Sequence, residues 1–315
     1  MSATAVDRRI RALRPPKPSV DPYMAHGSLI EEERRPNGEI ERALTVFLAG
    51  AECPFTCSFC DLWRWTIEGP TPPGALVRQL EQTLERHNES RPDRLKLYNA
   101  SNFFDRGAVP VEDLPRIAAL AGNFTGVTVE SHASTIGPAT LEFARQLPGR
   151  LEVAVGLETT HPIAAAQLNK RLDSRRFERA AAFLGAHDID LRVFVLLGAP
   201  YVPPDESIAS AVRTVECAAE CGAAIVSIIP VRGGNGELER LQAEGRFTPP
   251  TLHELETALD ECLDCKPTVV TADLWDVERL PACEQCRAQR IARLRRLNIT
   301  GLFEPAIRCT TCGPA

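Results

Sequence analysis

Short apolar runs and amphipathic segments alternate along most of this chain, from residue 44 to about residue 230. Runs rich in β-branched residues predict six buried strands, at residues 44–48, 95–98, 127–129, 151–155, 191–197 and 225–229. The segments between them have a helical pattern, around residues 74–87, 111–121, 138–146, 174–186 and 205–221. Strands that alternate with helices imply right-handed crossovers and a parallel sheet. The pattern predicts an α/β fold and leaves two architectures open, a doubly wound sheet and a partial barrel.

The two ends of the chain differ from this middle part. The first 43 residues are rich in proline and charge, show no sustained period and predict an irregular lead-in. Near the other end, helices are predicted around residues 251–262 and 284–298, with a short apolar stretch between them at 268–270. We therefore expect three regions, an N-terminal arm at 1–43, a core domain at 44–245 and a cysteine-rich C-terminal extension at 246–315.

The composition is that of a globular protein without a membrane segment. The 315 residues are 44% hydrophobic and 25% charged, with a formal net charge of −6, and no apolar run approaches the roughly 18 residues that cross a bilayer. The N-terminus is basic but lacks the apolar stretch of a signal peptide, so we expect a cytoplasmic protein. The chain has 11 cysteines. In a reducing compartment, an odd number of cysteines favours metal binding or catalysis over disulfides.

Three of these cysteines, Cys53, Cys57 and Cys60, form a triplet that directly follows the first predicted strand. In parallel α/β architectures, ligands and chemistry collect at the carboxyl ends of the strands. Clusters of the 4Fe–4S type normally take four cysteines, so a local set of three leaves one iron open, as a catalytic metal site requires. The alternative is a zinc knuckle or three buried thiols, but no histidine lies near enough in sequence to complete a zinc site.

The triplet, with Phe59 directly before its last cysteine, resembles the signature of the radical S-adenosylmethionine (SAM) superfamily. Other segments agree with it in order. Residues 98–101 end the second strand where the superfamily has a glycine-rich stretch, although they depart from its Gly-Gly-Glu-like consensus. Residues 194–200 and 228–230 resemble the segments that end the fifth and sixth strands. The resemblance implies a partial (β/α)6 barrel, similar to part of a TIM barrel.

Within the superfamily, the chain is most similar to the branch of the elongator catalytic subunit and the radical subunit of archaeosine synthase. Residues 129–132, 155–159 and 168–171 carry this likeness, which spans about residues 44–245. The resemblance implies a 4Fe–4S cluster that cleaves SAM to a 5′-deoxyadenosyl radical, and this radical abstracts hydrogen from a substrate. It also implies a one-electron donor of the flavodoxin or ferredoxin type. The branch suggests a tRNA nucleoside as the substrate.

The same resemblance places SAM along the carboxyl edge of the sheet. SAM carries an amine, a carboxylate, a ribose diol and an adenine, so its site needs hydrogen-bond acceptors, a cation and apolar walls. The residues expected to bind it are Phe59, Asn99, Ala100, Ser101, Glu130, Glu158, Lys170, Arg171, Leu197, Gly198 and Pro230.

Several polar residues near the strand ends have a competing interpretation. Glu130 and Glu158 end adjacent strands and are expected to accept from the ammonium group or the ribose of SAM, unless each pairs with an arginine instead. Lys170 and Arg171 are rival partners for a carboxylate. The candidate catalytic residues are His132 and His161. The alternative for each is a histidine that only makes a structural hydrogen bond.

Six cysteines near the C-terminus form three CxxC pairs. Two such pairs, with 22 residues between Cys286 and Cys309, are typical of tetrathiolate zinc sites. Six thiols are too many for one four-ligand site and too few for two, so structural zinc and an auxiliary iron–sulfur cluster both remain open. The predicted ligands are Cys262, Cys265, Cys283, Cys286, Cys309 and Cys312. The remaining pair, Cys217 and Cys221, lies one helical turn apart and is expected to be buried.

The predicted helix at 284–298 carries five arginines opposite an apolar face. Such a row of cations is suited to RNA phosphates, whereas a solvated face is the plainer interpretation. The sequence leaves three hypotheses. The first is a radical SAM enzyme that modifies a tRNA nucleoside, the second is a radical SAM enzyme that acts on a small molecule or peptide, and the third is a metal-scaffolded binding module without turnover.

Overall fold

One eight-stranded sheet organises residues 4–312, the part of the chain that the computed structural model describes. The strands lie in the sheet in the order in which they occur in the chain. β1 is antiparallel to β2, and each later neighbouring pair is parallel. The strands are β1 (Gly27–Arg34), β2 (Ile40–Phe47), β3 (Arg94–Tyr98), β4 (Gly126–Glu130), β5 (Arg150–Glu158), β6 (Asp190–Leu197), β7 (Ile225–Pro230) and β8 (Val269–Ala272).

Helices connect the parallel strands, so that β2–β7 correspond to the six predicted strands. None of the described helices is long and apolar enough to cross a membrane. The helices are α1 (Ala5–Leu13), α2 (Ala75–Arg86), α3 (Leu114–Leu120), α4 (Pro138–Gln146), α5 (Pro162–Gln167), α6 (Ser174–Ala186), α7 (Ser207–Glu220), α8 (Glu237–Ala243), α9 (Leu252–Cys262) and α10 (Arg287–Thr300). The predicted α/β partial barrel with a cysteine-rich C-terminal segment is confirmed.

The sheet curls into a half-barrel, as the ion pairs of Glu33 on β1 show. Its carboxylate lies 2.7 Å from Lys96 Nζ on β3 and 2.7 Å from Arg192 Nη2 on β6. In a flat sheet with strands roughly 4.8 Å apart, β3 and β6 would be separated by about 14 Å, too far for one carboxylate to reach both. Arg192 also pairs with the buried Glu152 of β5, at 2.8 Å. A charged layer therefore fills the amino-terminal end of the barrel.

Both flanking regions contribute strands to this sheet. α1 and β1 lie in the region that was expected to be irregular, and β8 lies beyond the predicted boundary at residue 245. The hydrophobic pattern did not indicate β1 because two of its side chains, Glu31 and Glu33, form ion pairs with Lys96 instead of making apolar contacts. The division into arm, core and extension at 43 and 245 stays a prediction.

Helix α10 covers the gap between the two edge strands. It packs against both β1 and β8. The Asn298 side chain donates to Ala272 O (2.8 Å) and accepts from Ala272 N (2.8 Å), so it satisfies the free backbone of the β8 edge. Gly301, at the end of α10 with φ +60°, lies against the Arg34 side chain at the end of β1, where a Cβ would approach within 2.3 Å. The half-barrel thus has its open side covered by a helix, which protects the exposed strand edges.

Candidate active site and second cysteine cluster

The loop that carries the cysteine triplet leaves the carboxyl end of β2 and is held by segments that follow three other strands. After β3, Asn102 Nδ2 donates to Cys53 Sγ at 3.3 Å. After β5, the Leu168 carbonyl accepts from Ser58 N at 2.9 Å. After β7, Asn235 Nδ2 donates to the Ser58 carbonyl at 2.9 Å. The three predicted ligands therefore lie at the carboxyl edge of the sheet, where the sequence placed them.

Burial controls the protonation of these thiols. It raises the pKa of all three, that of Cys57 to about 12. The nearby Lys170 ammonium opposes this rise for Cys53 and Cys57. Repulsion from Cys53 adds to the rise for Cys57, and repulsion from Cys57 and Cys53 adds to it for Cys60. Cys60 and its neighbours are therefore neutral thiols without a metal, and a metal that binds them displaces their protons. The donor set fits an iron–sulfur cluster with one position left for another ligand.

Glu130, at the end of β4, is bonded to the turn that follows β3. Its Oε1 accepts from Asn99 N at 3.0 Å. Burial raises the pKa of Glu130 to about 7, and hydrogen bonds from the backbone of Asn99, Ala100 and Ser101 limit the rise. Ala100 has φ +53°, a left-handed conformation that residues other than glycine rarely adopt and that often marks a functional site. Glu130 thus fixes this turn against the neighbouring strand.

Polar atoms in this turn are buried without a partner among residues 4–312. They are the amide oxygen and nitrogen of Asn99 and the hydroxyl of Ser101. Asn99 is fully buried. Because buried polar groups in folded proteins normally have a hydrogen-bond partner, these atoms fit a polar ligand such as the amino acid part of SAM.

Glu158 and Lys170 form a buried ion pair at the end of β5, with 2.6 Å between Oε1 and Nζ. Glu158 has φ +69°, and the pairing of β5 with β6 shifts register between Gly156 and Glu158. The pair needs a glycine at 156, because a Cβ there would lie 2.0 Å from Glu158 Oε1 and 2.6 Å from Lys170 Nζ. The Lys170 ammonium also lies 5.9 Å from the centre of the Phe59 ring in the cysteine loop. Lys170, rather than Arg171, is thus the partner of this carboxylate.

Arg171 pairs instead with Asp7 of α1, at 2.6 Å. Asp7 is buried, and it also accepts hydrogen bonds from Thr56 of the cysteine loop and from Asn169 Nδ2 (2.9 Å). Although burial raises the pKa of Asp7, hydrogen bonds led by those from Thr56 and Asn169 outweigh it and hold the pKa well below its ordinary value. The N-terminal helix thus joins the cysteine loop to the loop that carries Lys170. Sequence reasoning missed this contact because Thr4-x-x-Asp7 indicates a helix start and nothing more.

Three of the residues expected to bind SAM, Leu197, Gly198 and Pro230, lie at or directly after the ends of β6 and β7. Leu197 is buried and pairs in register with Pro230. Gly198 has φ +71° and lies against Pro250, which a Cβ would meet at 2.7 Å. These residues give an apolar wall at the same edge as the triplet, and their contact with SAM stays a prediction.

The two candidate histidines have different surroundings. His132 is buried and stacks on Phe55 of the cysteine loop, with ring centroids 4.2 Å apart, and its Nε2 lies 3.2 Å from Lys170 O. Burial and the Lys170 charge lower the pKa of His132 to about 4, so the ring is neutral and supports the two loops. His161 caps α5, where its Nδ1 accepts from Ala164 N at 3.3 Å. Both histidines have local structural partners, and a catalytic role for either stays a prediction.

A cavity of about 680 Å³ lies beside the triplet. The segment after α1 forms one side through Arg14 and Lys17, and the cysteine loop forms the other through Glu52 and Cys53. Arg14 pairs with Glu52 at 2.7 Å and stacks on Trp63 at 4.7 Å from the ring centre. The site region is therefore open on the side of Cys53.

At the C-terminus, four of the six predicted ligands converge. The sulfurs of Cys283, Cys286, Cys309 and Cys312 all lie within 4.8 Å of one another. Backbone hydrogen bonds from Cys312 and Thr311 lower the pKa of Cys309 to about 6. These residues form a group that can hold a metal ion, and we call them the tail quartet. The remaining CxxC pair, Cys262 and Cys265, lies at the end of α9 and is not part of the group.

The arginines of α10 do not form the exposed row that the sequence suggested. Arg290 and Arg293 are buried and share the Glu256 carboxylate of α9. Arg293 also pairs with Asp260 at 2.9 Å. Neither of these two side chains is a solvated cation, because the helix turns them toward α9, and neither is available to a phosphate backbone.

Comparison with known proteins yields matches in structure but not in sequence. No family model and no curated protein matches the chain. A radical SAM methyltransferase from Sphaerobacter thermophilus aligns over 90% of this chain and 85% of its own, with a TM-score of 0.54 at 15% identity. The chain has the radical SAM fold.

Two further solved structures agree. The archaeal Elp3 of Methanocaldococcus infernus aligns over 70% of this chain and 59% of its own, with a TM-score of 0.53 at 11% identity. SuiB of Streptococcus suis, solved with SAM bound, aligns over 75% of this chain with a TM-score of 0.50 at 12% identity. The chain spans about half the length of SuiB, 46%. The predicted fold is confirmed, and an Elp3 structure is among the matches.

Proposed function

We propose that this protein is a radical SAM enzyme. The observation that carries the proposal is that three partly buried thiols and the unpartnered polar atoms of Asn99 and Ser101 lie at the same edge of a radical SAM fold. When bound, the cluster and SAM would supply an electron and a 5′-deoxyadenosyl radical that takes hydrogen from the substrate. The chain's own residues bind, orient and shield these groups.

The residues divide this work by their chemistry. Cys53, Cys57 and Cys60 hold the cluster as thiolates and leave one iron to SAM. Asn99 and Ser101 offer two acceptors and two donors to the amine and carboxylate of the methionine part.

The carboxylates and the apolar residues bind the rest of SAM. Glu130 accepts from an ammonium or hydroxyl group when it is ionised. Lys170 binds Oε1 of Glu158 and so fixes the orientation of the carboxylate. The second carboxylate oxygen is then held in one position for SAM. Leu197, Gly198 and Pro230 present an apolar wall to the adenine, and Phe59 supports the Lys170 ammonium.

The proposal also concerns the class of substrate. The likeness to Elp3 favours a tRNA nucleoside, whereas the two buried arginines of α10 reduce the cationic surface that was expected to bind RNA. A small molecule or peptide is therefore the second candidate. An electron donor of the flavodoxin or ferredoxin type completes either reaction. A cytoplasmic location agrees with the use of free thiols as ligands.

The test is the formation of 5′-deoxyadenosine. Anaerobically reconstituted protein with dithionite and SAM should show 4Fe–4S absorbance and yield this product, and Cys57→Ala should yield none above the reagent background. The matched control is Cys217→Ala, which removes a thiol of α7 outside the triplet and should keep the activity. Full product formation by Cys57→Ala, or none by the wild-type protein with its cluster in place, would overturn the proposal and favour the binding module.

A further inference from the structure

We propose that the tail quartet binds a single Zn²⁺ ion and that this ion fixes α10 across the open side of the half-barrel. The proposal concerns a site outside the triplet and does not depend on the proposed enzymatic function. It rests on the spacing of the sulfurs, on the charges around them, and on the contacts of α10.

The spacing of the sulfurs fits one tetrahedral ion. The distance from Cys283 Sγ to Cys309 Sγ is 3.8 Å, and that from Cys286 Sγ to Cys312 Sγ is 3.8 Å. In a regular tetrahedron the edge is about 1.63 times the distance from centre to corner, so a Zn–S bond of about 2.3 Å places the sulfurs about 3.8 Å apart. The two close contacts run between the CxxC pairs, so the two pairs already form one compact set.

The same spacing argues against an auxiliary cluster. A four-iron cluster binds each cysteine through a different iron, so the four thiolate sulfurs lie around the outside of the cube. The tail quartet has all of its sulfurs within 4.8 Å of one another, which leaves no room for a multi-iron core between them. Four thiolates in a tetrahedron are typical of Zn²⁺ among the ions that a cell supplies.

A buried arginine offsets part of the charge of a zinc tetrathiolate. Four thiolates around Zn²⁺ carry a net charge of −2, and Arg290 lies at their edge with its Nε donating to Cys286 Sγ at 3.2 Å. Arg290 is buried, and it also bonds to Glu256 and donates to Ile307 O at 3.2 Å. A buried guanidinium that donates to a metal ligand is a typical outer-shell partner of such a site. Through its bond to Ile307, Arg290 also connects the segment before Cys309 to α10.

The position of the quartet on the chain explains what the ion would do. Cys286 is the residue directly before α10. Cys309 follows the helix after eight residues without regular secondary structure, 301–308, which Arg293 holds through the Pro305 carbonyl at 3.1 Å. The other end of α10 contacts both edge strands through Asn298 and Gly301. An ion that clamps the first turn of α10 therefore sets where the helix lies over the gap between β1 and β8.

Metal analysis of the full chain tests the identity of the ion. We use Cys57→Ala as the background, because it removes the triplet's cluster. This variant should retain about one zinc per chain with neither iron nor sulfide, and it should take up Co²⁺ with the visible bands of a tetrahedral thiolate site. Further substitution of Cys309→Ser should abolish the zinc, whereas Cys265→Ser, a CxxC cysteine outside the quartet, should not. Iron with sulfide in the quartet, or no bound metal, would overturn the proposal.

Hydrogen exchange tests the role of the ion without any substitution in the tail quartet. Removal of zinc from the Cys57→Ala protein with a chelator should lower the protection of amides in α10, β1 and β8 by at least tenfold, because these elements share contacts with the clamped helix. Amides in β4 and β5, on the far side of the barrel, should change little. Equal protection of α10 with and without zinc would show that the ion does not hold the helix.

Discussion

The cysteine triplet and the tail quartet have the same kind of ligand but opposite architectures. The triplet lies in a loop at the carboxyl edge of a parallel sheet, next to a cation, two carboxylates and unpartnered polar atoms. The quartet lies at the start of a helix and in the segment that follows it, where its sulfurs already approach a tetrahedron. Three ligands leave a metal open to a substrate, whereas four close it.

The comparison also shows how each site is connected to the rest of the molecule. The triplet loop is bonded to segments after β3, β5 and β7 and to Asp7 of α1, so it depends on contacts distant in sequence. The quartet is held by residues of the last third of the chain. The proposed catalytic centre is assembled from many strands and the proposed zinc site from one short region, so the two are expected to fail separately.

The largest effect should come from substitutions that separate the two sites. Cys57→Ala should abolish 5′-deoxyadenosine formation and retain zinc. Cys309→Ser should lose zinc and lower the melting temperature by about 5 °C or more, because metal binding contributes to folding free energy, but its triplet should still bind iron. Metal content, product analysis and thermal melts of both proteins measure this. If either variant lost both metals while remaining folded, the two centres would not be independent.

The second largest effect is expected on SAM binding, from the loss of the Glu158–Lys170 ion pair beside the triplet. Gly156→Ala should break the Glu158–Lys170 contact, since the added Cβ would lie 2.0 Å from the carboxylate. Because Glu158 would lose the partner that orients it, we expect SAM binding to weaken at least about tenfold, which corresponds to about 1.4 kcal/mol. Equilibrium binding of SAM to the reconstituted protein measures it. The control is Gly185→Ala at an exposed position of α6, where a Cβ meets nothing within 4 Å. Unchanged SAM affinity in Gly156→Ala would contradict the role of this pair.

A smaller effect is expected from the N-terminal helix. Asp7→Asn removes the charge that joins Arg171 to the cysteine loop, and we expect the free energy of unfolding to fall by about 1–3 kcal/mol. Denaturant unfolding measures this loss, and the exposed Asp264→Asn serves as the control. Zinc content should be unaffected. A stability equal to that of wild type would show that α1 does not brace the triplet.

The smallest effect is a pH dependence. The pKa of Glu130 is raised by burial from 4.5 to about 7, so its contribution to stability is present below about pH 4.5 and is lost as the pH rises through about 7. Glu130→Gln lacks this ionisation. The melting temperature of the variant relative to wild type should therefore rise by about 2–4 °C between pH 5 and pH 8. Thermal melts of the metal-free proteins at both pH values measure it, and a constant difference would show that Glu130 titrates normally.

The sequence predicted the parts of the fold that follow from hydrophobic pattern. The parallel strands β2–β7 are covered on both faces and appear as apolar runs, and the triplet spacing indicated the site. The pattern did not predict β1, since Glu31 and Glu33 make ion pairs within the barrel. The pattern also did not predict the burial of Arg290 and Arg293. Their burial depends on Glu256, an ion-pair partner on another helix, which the local sequence does not indicate.

The site itself was predicted in outline rather than in detail. The choice of Lys170 over Arg171 as the partner of Glu158 depends on two left-handed residues, Asn169 and Arg171, that turn the lysine inward. The role of Asp7 depends on a contact across more than 160 residues of chain. The separation of the quartet from Cys262 and Cys265 depends on where α9 ends. None of these follows from local spacing, because each is set by tertiary packing.

Binding of SAM at the open iron of the proposed cluster is the property that most directly distinguishes a catalytic triplet from a structural one. We would record the electron paramagnetic resonance spectrum of the reduced, reconstituted protein without and with saturating SAM, in the Cys309→Ser background so that the tail quartet contributes no metal. We expect a 4Fe–4S signal whose g values change when SAM is added. A spectrum that is the same in both samples would mean that SAM does not reach the cluster, and it would contradict the assignment of the triplet as a catalytic centre.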